Sequence, residues 1–139
     1  MGANVTFLAV DDDEIDLMAL KRAFRAADMA NPLISAGDGQ EALELLRAGK
    51  VDKPFIVLLD INMPRMNGFE FLDEIRADPE LLRSVVFILT TSRSERDVIR
   101  AYDHHVAGYI VKSNATQTTK DLATMLDSYR RLVELPTER

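Results

Sequence analysis

Five short apolar runs, rich in β-branched or large side chains, alternate along the chain with longer segments in which apolar residues recur every three or four positions. A strand buried on both faces reads as a continuous apolar run, and a helix with one buried side reads as a stripe of 3.6-residue period. The alternation therefore predicts βα units around a parallel sheet. Strands are predicted over Val5 to Val10, Leu33 to Ala36, Phe55 to Leu59, Val85 to Leu89 and Gly108 to Val111. Between the first two, Leu20, Ala23, Phe24 and Ala27 make one stripe on a helix that starts near Glu14, and Asn31-Pro32 marks its end. A second helix is predicted from Gly39 to Ala48, carrying Ala42, Leu43, Leu45 and Leu46, with Gly49 as its terminator. The third covers Gly68 to Ala77 and the fourth Ser94 to His104. The last and longest runs from Thr118 to Leu135, with Leu122, Met125, Leu126, Tyr129, Leu132 and Val133 on its apolar side and Pro136 closing it. Its final turn, Val133 to Leu135, reaches beyond what the rest of the domain needs.

Length and composition narrow this picture. With 139 residues, 47% of them hydrophobic, the chain is expected to fold as one domain over 1–139 with a packed core. A formal net charge of -6 and the lack of a basic patch argue against neutralising the phosphates of DNA or RNA. There is no cysteine, which removes disulfide frameworks and thiol catalysis and fits a reducing compartment. No apolar run reaches membrane-spanning length, and the N-terminus lacks a charged region followed by a long apolar core. The expectation is a soluble, cytoplasmic protein.

Candidate chemistry lies at the strand ends, because in an open parallel sheet ligands sit in the crevice beyond the carboxyl ends of the strands. Asp60 follows the uncharged run Phe55-Ile56-Val57-Leu58-Leu59 and precedes Ile61-Asn62-Met63-Pro64, so a carboxylate leaves a buried strand directly into a loop. The first strand is followed by Asp11-Asp12-Asp13-Glu14. Taken alone, four acids in a row are a helix N-terminus, where side-chain oxygens cap free amides and negative charge suits the dipole. Beside Asp60 they become a carboxylate cluster. At ~4 Å and an effective dielectric near ~20, each like-charge pair costs about 4 kcal/mol, which favours protonation or a divalent cation. Mg2+ suits an oxygen-only site that combines one or two carboxylates with waters and a phosphate oxygen. The fourth strand ends in Thr90-Thr91-Ser92, where hydroxyls can cap the next helix or bind a ligand. The fifth ends in Lys112, which reads either as a guard against edge-to-edge pairing or as a point charge for a transferred phosphoryl group.

An acid pair, an aspartate, a hydroxyl and a lysine, each after its own strand, resemble the receiver domain of two-component response regulators. Asp60-Ile61-Asn62-Met63-Pro64 with Gly68 resembles the phosphorylation loop of that family, and Leu89-Thr90-Thr91 and Tyr109-Ile110-Val111-Lys112 match its later signatures. The resemblance implies an α/β fold with a five-stranded, doubly wound parallel sheet, flavodoxin-like in order 2-1-3-4-5. Helices would cover both faces, with an extended C-terminal helix. It also implies that Asp60 is the phosphoacceptor and that Asp12, Asp60 and the backbone carbonyl of Asn62 bind Mg2+, with Asp11 acting through water. Lys112 would contact a phosphoryl oxygen, Thr90 would hydrogen-bond the phosphoryl group, and Tyr109 would follow Thr90 as the aromatic of the switch. Phosphorylation would come from a sensor histidine kinase, and the output would be a changed surface across helix 4, strand 5 and helix 5.

The chain departs from the family's pattern at two places. Ser113 stands where proline, often after a cis bond, usually follows the lysine; a non-proline cis bond costs ~2.5 to 4 kcal/mol, so this loop is either strained or trans. Thr91 is bulkier than the alanine or glycine usual beside the switch hydroxyl, and is expected to slow access of phosphodonor or water. His104 and His105 are read as suiting a helix C-terminal dipole, since adjacent helical residues share no face. Arg130 and Arg131 are read as a solvated face, and Met63 and Met66 as loop packing.

A stand-alone receiver whose output is protein binding is the leading functional reading, because no second domain is present to bind DNA or catalyse a reaction. A phosphatase similar to the haloacid dehalogenase-like enzymes would need a second aspartate two positions after Asp60, where Asn62 stands. A non-phosphorylated interaction module would have no need of Asp11, Asp12, Asp60, Thr90 and Lys112 together. The spacing, the Asn31-Pro32 segment and the long last helix also resemble the small regulators paired with bacterial phytochrome kinases, which implies such a kinase as partner and a homodimer. Leu132, Val133 and Leu135 could serve that interface or cover the domain's own edge.

Overall fold

Each predicted apolar run forms a strand in the computed structural model, which describes residues 4–113 and 115–136. The elements alternate without exception: β1 (Thr6–Val10), α1 (Glu14–Ala26), β2 (Leu33–Ala36), α2 (Gly39–Arg47), β3 (Phe55–Leu59), α3 (Gly68–Ala77), β4 (Val85–Thr90), α4 (Glu95–Asp103), β5 (Gly108–Val111) and α5 (Ala115–Leu132). All strand pairs are parallel, and the order across the sheet is β2-β1-β3-β4-β5. The flavodoxin-like expectation is met. Strand order reverses beside β1, which places the carboxyl ends of β1 and β3 at the crevice where such sheets bind ligands.

Alternate residues of the central strands feed two separate cores, as the period of two requires. Leu8, Val10, Val57, Leu59, Val86 and Ile88 point to one face, where they meet Leu43 and Leu46 of α2, Phe71, Leu72 and Ile75 of α3, and Ala101 of α4. Phe7, Ala9, Ile56, Leu58, Phe87 and Leu89 point to the other, against Leu20 and Phe24 of α1 and Leu122, Ala123 and Leu126 of α5. Phe7 meets Phe24 edge-on at 5.0 Å, and Phe87 meets Tyr129 edge-on at 5.2 Å. Such pairs add about 0.5–1.5 kcal/mol beyond the area they bury.

Side-chain caps set where the helices start. Asp13, Asp38, Asn67 and Ser94 each accept a hydrogen bond from a first-turn amide of α1, α2, α3 and α4 respectively, and Asn67 with Glu70 completes a reciprocal capping box. Gly49 follows α2 with φ of +70°, the left-handed conformation a helix terminator uses. One guanidinium ties the far end of the sheet together. Arg76 of α3 donates to the carbonyls of Leu82 and Ser84 before β4, and to those of His104 and His105 after α4, at 2.7–3.0 Å.

Three expectations need correction. The last helix begins at Ala115 rather than Thr118 and ends at Leu132 rather than Leu135. Its start was obscured because no apolar stripe appears before Leu122. Beyond Leu132 the chain leaves the helix and Leu135 folds back against the α1/α5 core, before Pro136, which has no amide to continue a ladder. Leu132 does not share the apolar side, being 83% exposed. Arg130 does not lie on a solvated face either: it is buried against Asp127, whereas Arg131 is exposed. Met63 and Met66 pack on the α2/α3 core as loop residues, as expected.

Candidate functional site

The parallel ladder continues one residue beyond β1 and β3 and thereby aligns the acids. Asp11 donates its amide to the carbonyl of Ala36 at 3.0 Å, and Asp60 donates its own to Val10 at 3.0 Å, so both carboxylates emerge side by side at the carboxyl edge. One carboxylate oxygen from each of Asp11, Asp12 and Asp60 lies within 4.8 Å of the others. Asp11 is buried, Asp60 half-buried and Asp12 exposed, so the cluster opens to solvent on the Asp12 side. Asp13, the next acid, turns away to cap α1 through the amides of Ile15 and Asp16. Capping and clustering, which compete as readings of the four-acid run, are thus divided among its members.

Lys112 completes the cluster from β5. Its amide donates to the carbonyl of Thr90 at 2.7 Å, which sets the start of its side chain beside the end of β4. The ammonium donates to Asp11 Oδ2 at 2.9 Å and to Asp16 Oδ2 at 2.7 Å, and stands 4.0 Å from Asp60 Oδ2. Burial alone would lower the lysine's pKa, but the hydrogen bonds to Asp16 and Asp11, together with the charges of Asp11 and Asp60, outweigh it and hold the group above its ordinary value. Burial pushes the Asp11 carboxyl up; the amide of Asp13 and Lys112 offset part of that rise, and the charge of Asp60 adds to it. The set is therefore an oxygen-rich, acidic pocket with one fixed cation at its inner wall. Its donors fit a hard divalent cation.

The β3–α3 loop is braced where it leaves Asp60. Asn62 donates its amide to Asp60 Oδ1 at 3.2 Å, so Asn62 lies beside the acid while its own side chain is exposed. Gly68 opens α3 against the backbone of Ile61: a Cβ there would fall 2.6 Å from Ile61 Cα and 2.7 Å from the Asp60 carbonyl oxygen. Farther along the loop Arg65 adopts φ of +61° and pairs with the buried Asp38 that caps α2.

Thr90 and Tyr109 meet through Ser92, the last hydroxyl of the run after β4. The fully buried Thr90 accepts the Ser92 amide on Oγ1 at 3.4 Å, and the Tyr109 hydroxyl donates to the Ser92 carbonyl at 3.0 Å. Ser92 Oγ in turn donates to Asp97 of α4 at 2.6 Å. Burial raises the Tyr109 pKa, against the opposing pull of that bond to Ser92. Thr91 is exposed at the same loop. The Lys112–Ser113 bond is trans, since Lys53–Pro54 is the cis peptide among the described residues. His104 ends α4 as expected, but it also bridges Arg100's carbonyl at 2.8 Å and Asp73 of α3 at 2.6 Å.

Asp16 is a residue that the strand-end pattern does not pick out. A first-turn acid is explained by the helix dipole, so its type gives no signal of a contact with Lys112. A surface cleft at the amino end of β3, lined by Arg47, Lys53, Phe55 and Asp78, gathers none of the site residues above. Among the described residues no helix is long and apolar enough to cross a membrane.

Comparison with known proteins agrees with this geometry. Residues 7–124 match the response regulator receiver domain. The chain is 36% identical over 123 residues to the response regulator Rcp1 of Synechocystis sp., spanning 86% of this chain and 82% of that protein. Its fold superposes on the Mn2+-bound form of Rcp1 with a TM-score of 0.84 at 33% identity, covering 96% of this chain and 99% of the other. With the phosphorylated cyanobacterial phytochrome response regulator RcpA the TM-score is 0.85 at 30% identity, over the same shares of 96% and 99%. A five-stranded sheet in this order, acids and lysine at its carboxyl edge, and a match across most of the chain lead to one assignment: the chain belongs to the response regulator receiver domain family of two-component systems.

Proposed function

We propose that the chain accepts a phosphoryl group on Asp60 from a sensor histidine kinase, with Mg2+ at Asp11, Asp12 and Asp60, and signals in the cytoplasm through an altered protein-binding surface. The observation that carries this reading is the convergence of three carboxylates with a lysine whose ammonium stands 4.0 Å from Asp60. Mg2+, when bound, would neutralise charge on the entering phosphoryl oxygens. Asp12 and Asp60 would hold it directly with the Asn62 carbonyl, and Asp11 through water. A carboxylate oxygen of Asp60 attacks phosphorus in line; the new P–O bond forms as the P–N bond to the donor histidine breaks, and that electron pair returns to the imidazole nitrogen. Lys112 offers a further N–H to a phosphoryl oxygen, and Thr90 exchanges its bond with Ser92 for one to the phosphoryl group. Because Ser92 is also bonded to Tyr109 and Asp97, that exchange would shift β5 and α4 together.

The names of the similar proteins support the finer points: one relative is described in a Mn2+-bound form and another is a phosphorylated phytochrome regulator. On that footing a bacterial phytochrome kinase is the proposed phosphodonor. Homodimerisation through the C-terminal helix region is proposed on the exposed Leu132 at the end of α5. Turnover as a phosphatase is disfavoured by Asn62, whose side chain cannot serve as the second acid. The test is labelling by a phosphohistidine donor. Wild type is expected to be labelled with a Mg2+ requirement and Asp60→Asn to lose at least about 90% of the label, since the proposed nucleophile is then removed. Undiminished labelling of Asp60→Asn, or sustained phosphate release from phosphate esters, would overturn the proposal.

A further inference from the structure

The shortest contact of the Lys112 ammonium is neither to the proposed phosphoacceptor nor to the strand acid beside it. It is to Asp16 on α1, at 2.7 Å, against 2.9 Å to Asp11 and 4.0 Å to Asp60. The lysine side chain is only 7% exposed, so its charge must be balanced by protein groups rather than by water. Were Asp16 absent, the acids left to balance it would be Asp11 and Asp60, the same carboxylates that a divalent cation needs. A small cavity of about 20 Å3 is bordered by Asp11, Asp16, Asp60 and Lys112, so the lysine and all three acids face one space.

We infer that Asp16 is a positioning residue that holds Lys112 on the α1 side of the site, leaving the Asp60 carboxylate available to the divalent cation and the phosphoryl group. This rests on the phosphoacceptor reading above. In the resting protein Asp16 and Asp11 share the ammonium. When a cation is held by Asp11, Asp12 and Asp60, Asp16 keeps the lysine compensated, so the two cations do not compete for one carboxylate. Removing Asp16 turns Lys112 toward Asp60 and sets it against the metal.

The test is a double-mutant cycle read as Mn2+ affinity, with free Mn2+ followed by electron paramagnetic resonance on the full chain. Asp16→Asn is compared with Glu14→Gln, which removes the same charge from an exposed position of the same helix turn, and both are repeated in a Lys112→Met background. Asp16→Asn is expected to weaken Mn2+ binding about fivefold more than Glu14→Gln, and that excess should disappear once Lys112 is absent. Asp16→Glu, which keeps the charge, should recover wild-type affinity to within about twofold. Equal losses for Asp16→Asn and Glu14→Gln, or an excess that persists without Lys112, would overturn the inference. Phosphoryl labelling of wild type separates the two layers: no label at Asp60 removes the phosphoacceptor reading and the inference with it. Normal labelling without the Asp16–Lys112 coupling removes only the inference.

Discussion

Gly68 shows how closely the loop after Asp60 is built around single atoms. Its missing Cβ lets α3 begin against the backbone of Asp60 and Ile61, and the nearest obstacles to a methyl group are main-chain atoms at 2.6 and 2.7 Å that no rotamer change can move aside. Gly68→Ala is therefore expected to destabilise the fold by about 1–3 kcal/mol, as overpacking does. A thermal melt would record the loss, and labelling of Asp60 should slow in parallel because the carboxylate is carried by the segment that must shift. A variant with unchanged melting and labelling would mean that the loop relaxes without strain. Lys112 illustrates the opposite case, in which flexibility is confined by charge: a long side chain on an edge strand is fixed by two carboxylates from different elements. An edge lysine read only as a guard against strand pairing would have been expected to point to water. Its 7% exposure excludes that.

The start of helix α2 is tied to the loop after Asp60. Asp38 caps α2 through the Glu41 amide at 2.8 Å and accepts from Arg65, while the Gly39 amide donates to the Met66 carbonyl at 3.1 Å. The Glu41 amide holds the Asp38 pKa below its ordinary value with the help of Arg65, against the opposing effect of burial. A carboxylate whose folded pKa is depressed contributes stability that is present in full above the unfolded value of ~3.9 and is lost as the pH falls through the lower folded value. Asp38→Ala should cost about 0.5–2 kcal/mol at neutral pH as a lost cap, and should flatten that part of the acid limb. Urea melts between about pH 7 and pH 3 would measure both; an acid limb unchanged by Asp38→Ala would rule out this linkage. Helix α4 is held similarly at its start, by Ser94 and by the Ser92–Asp97 bond, so the loop after β4 reports on the helix directly.

Across the whole molecule the proposed dimer is open to a direct measurement. Leu132 is exposed beyond the core while Leu135 is committed to it. Truncation after Arg131 is therefore expected to lower the sedimentation coefficient of wild type toward that of a monomer, and an unchanged monomer in both forms would dismiss the dimer. Most of the architecture is readable from the sequence, because strands packed on two sides read as continuous apolar runs and helices with one buried side as stripes. Asp11, Asp12, Asp60 and Lys112 stand out because each comes just after a strand, and Thr90 because it ends one. The Asp16–Lys112 contact and the Ser92 link to Tyr109 and Asp97 are not readable in the sequence, since an acid in a first helical turn and a serine in a loop already have local explanations. Arg130 misled for a related reason: a charged pair late in a helix looks solvated unless its partner Asp127 is known to fold over it. Arg76 lay further out of reach still. Its four acceptors are main-chain carbonyls. Residues 82, 84, 104 and 105 can therefore exchange side chains without removing any of those acceptors, whereas a lysine at position 76 brings three donors and no planar fork. Tolerance to mutation should thus be lopsided at this end of the molecule: side-chain changes at Leu82 and Ser84 leave every Arg76 acceptor in place, whereas the single arginine that joins them is not replaceable.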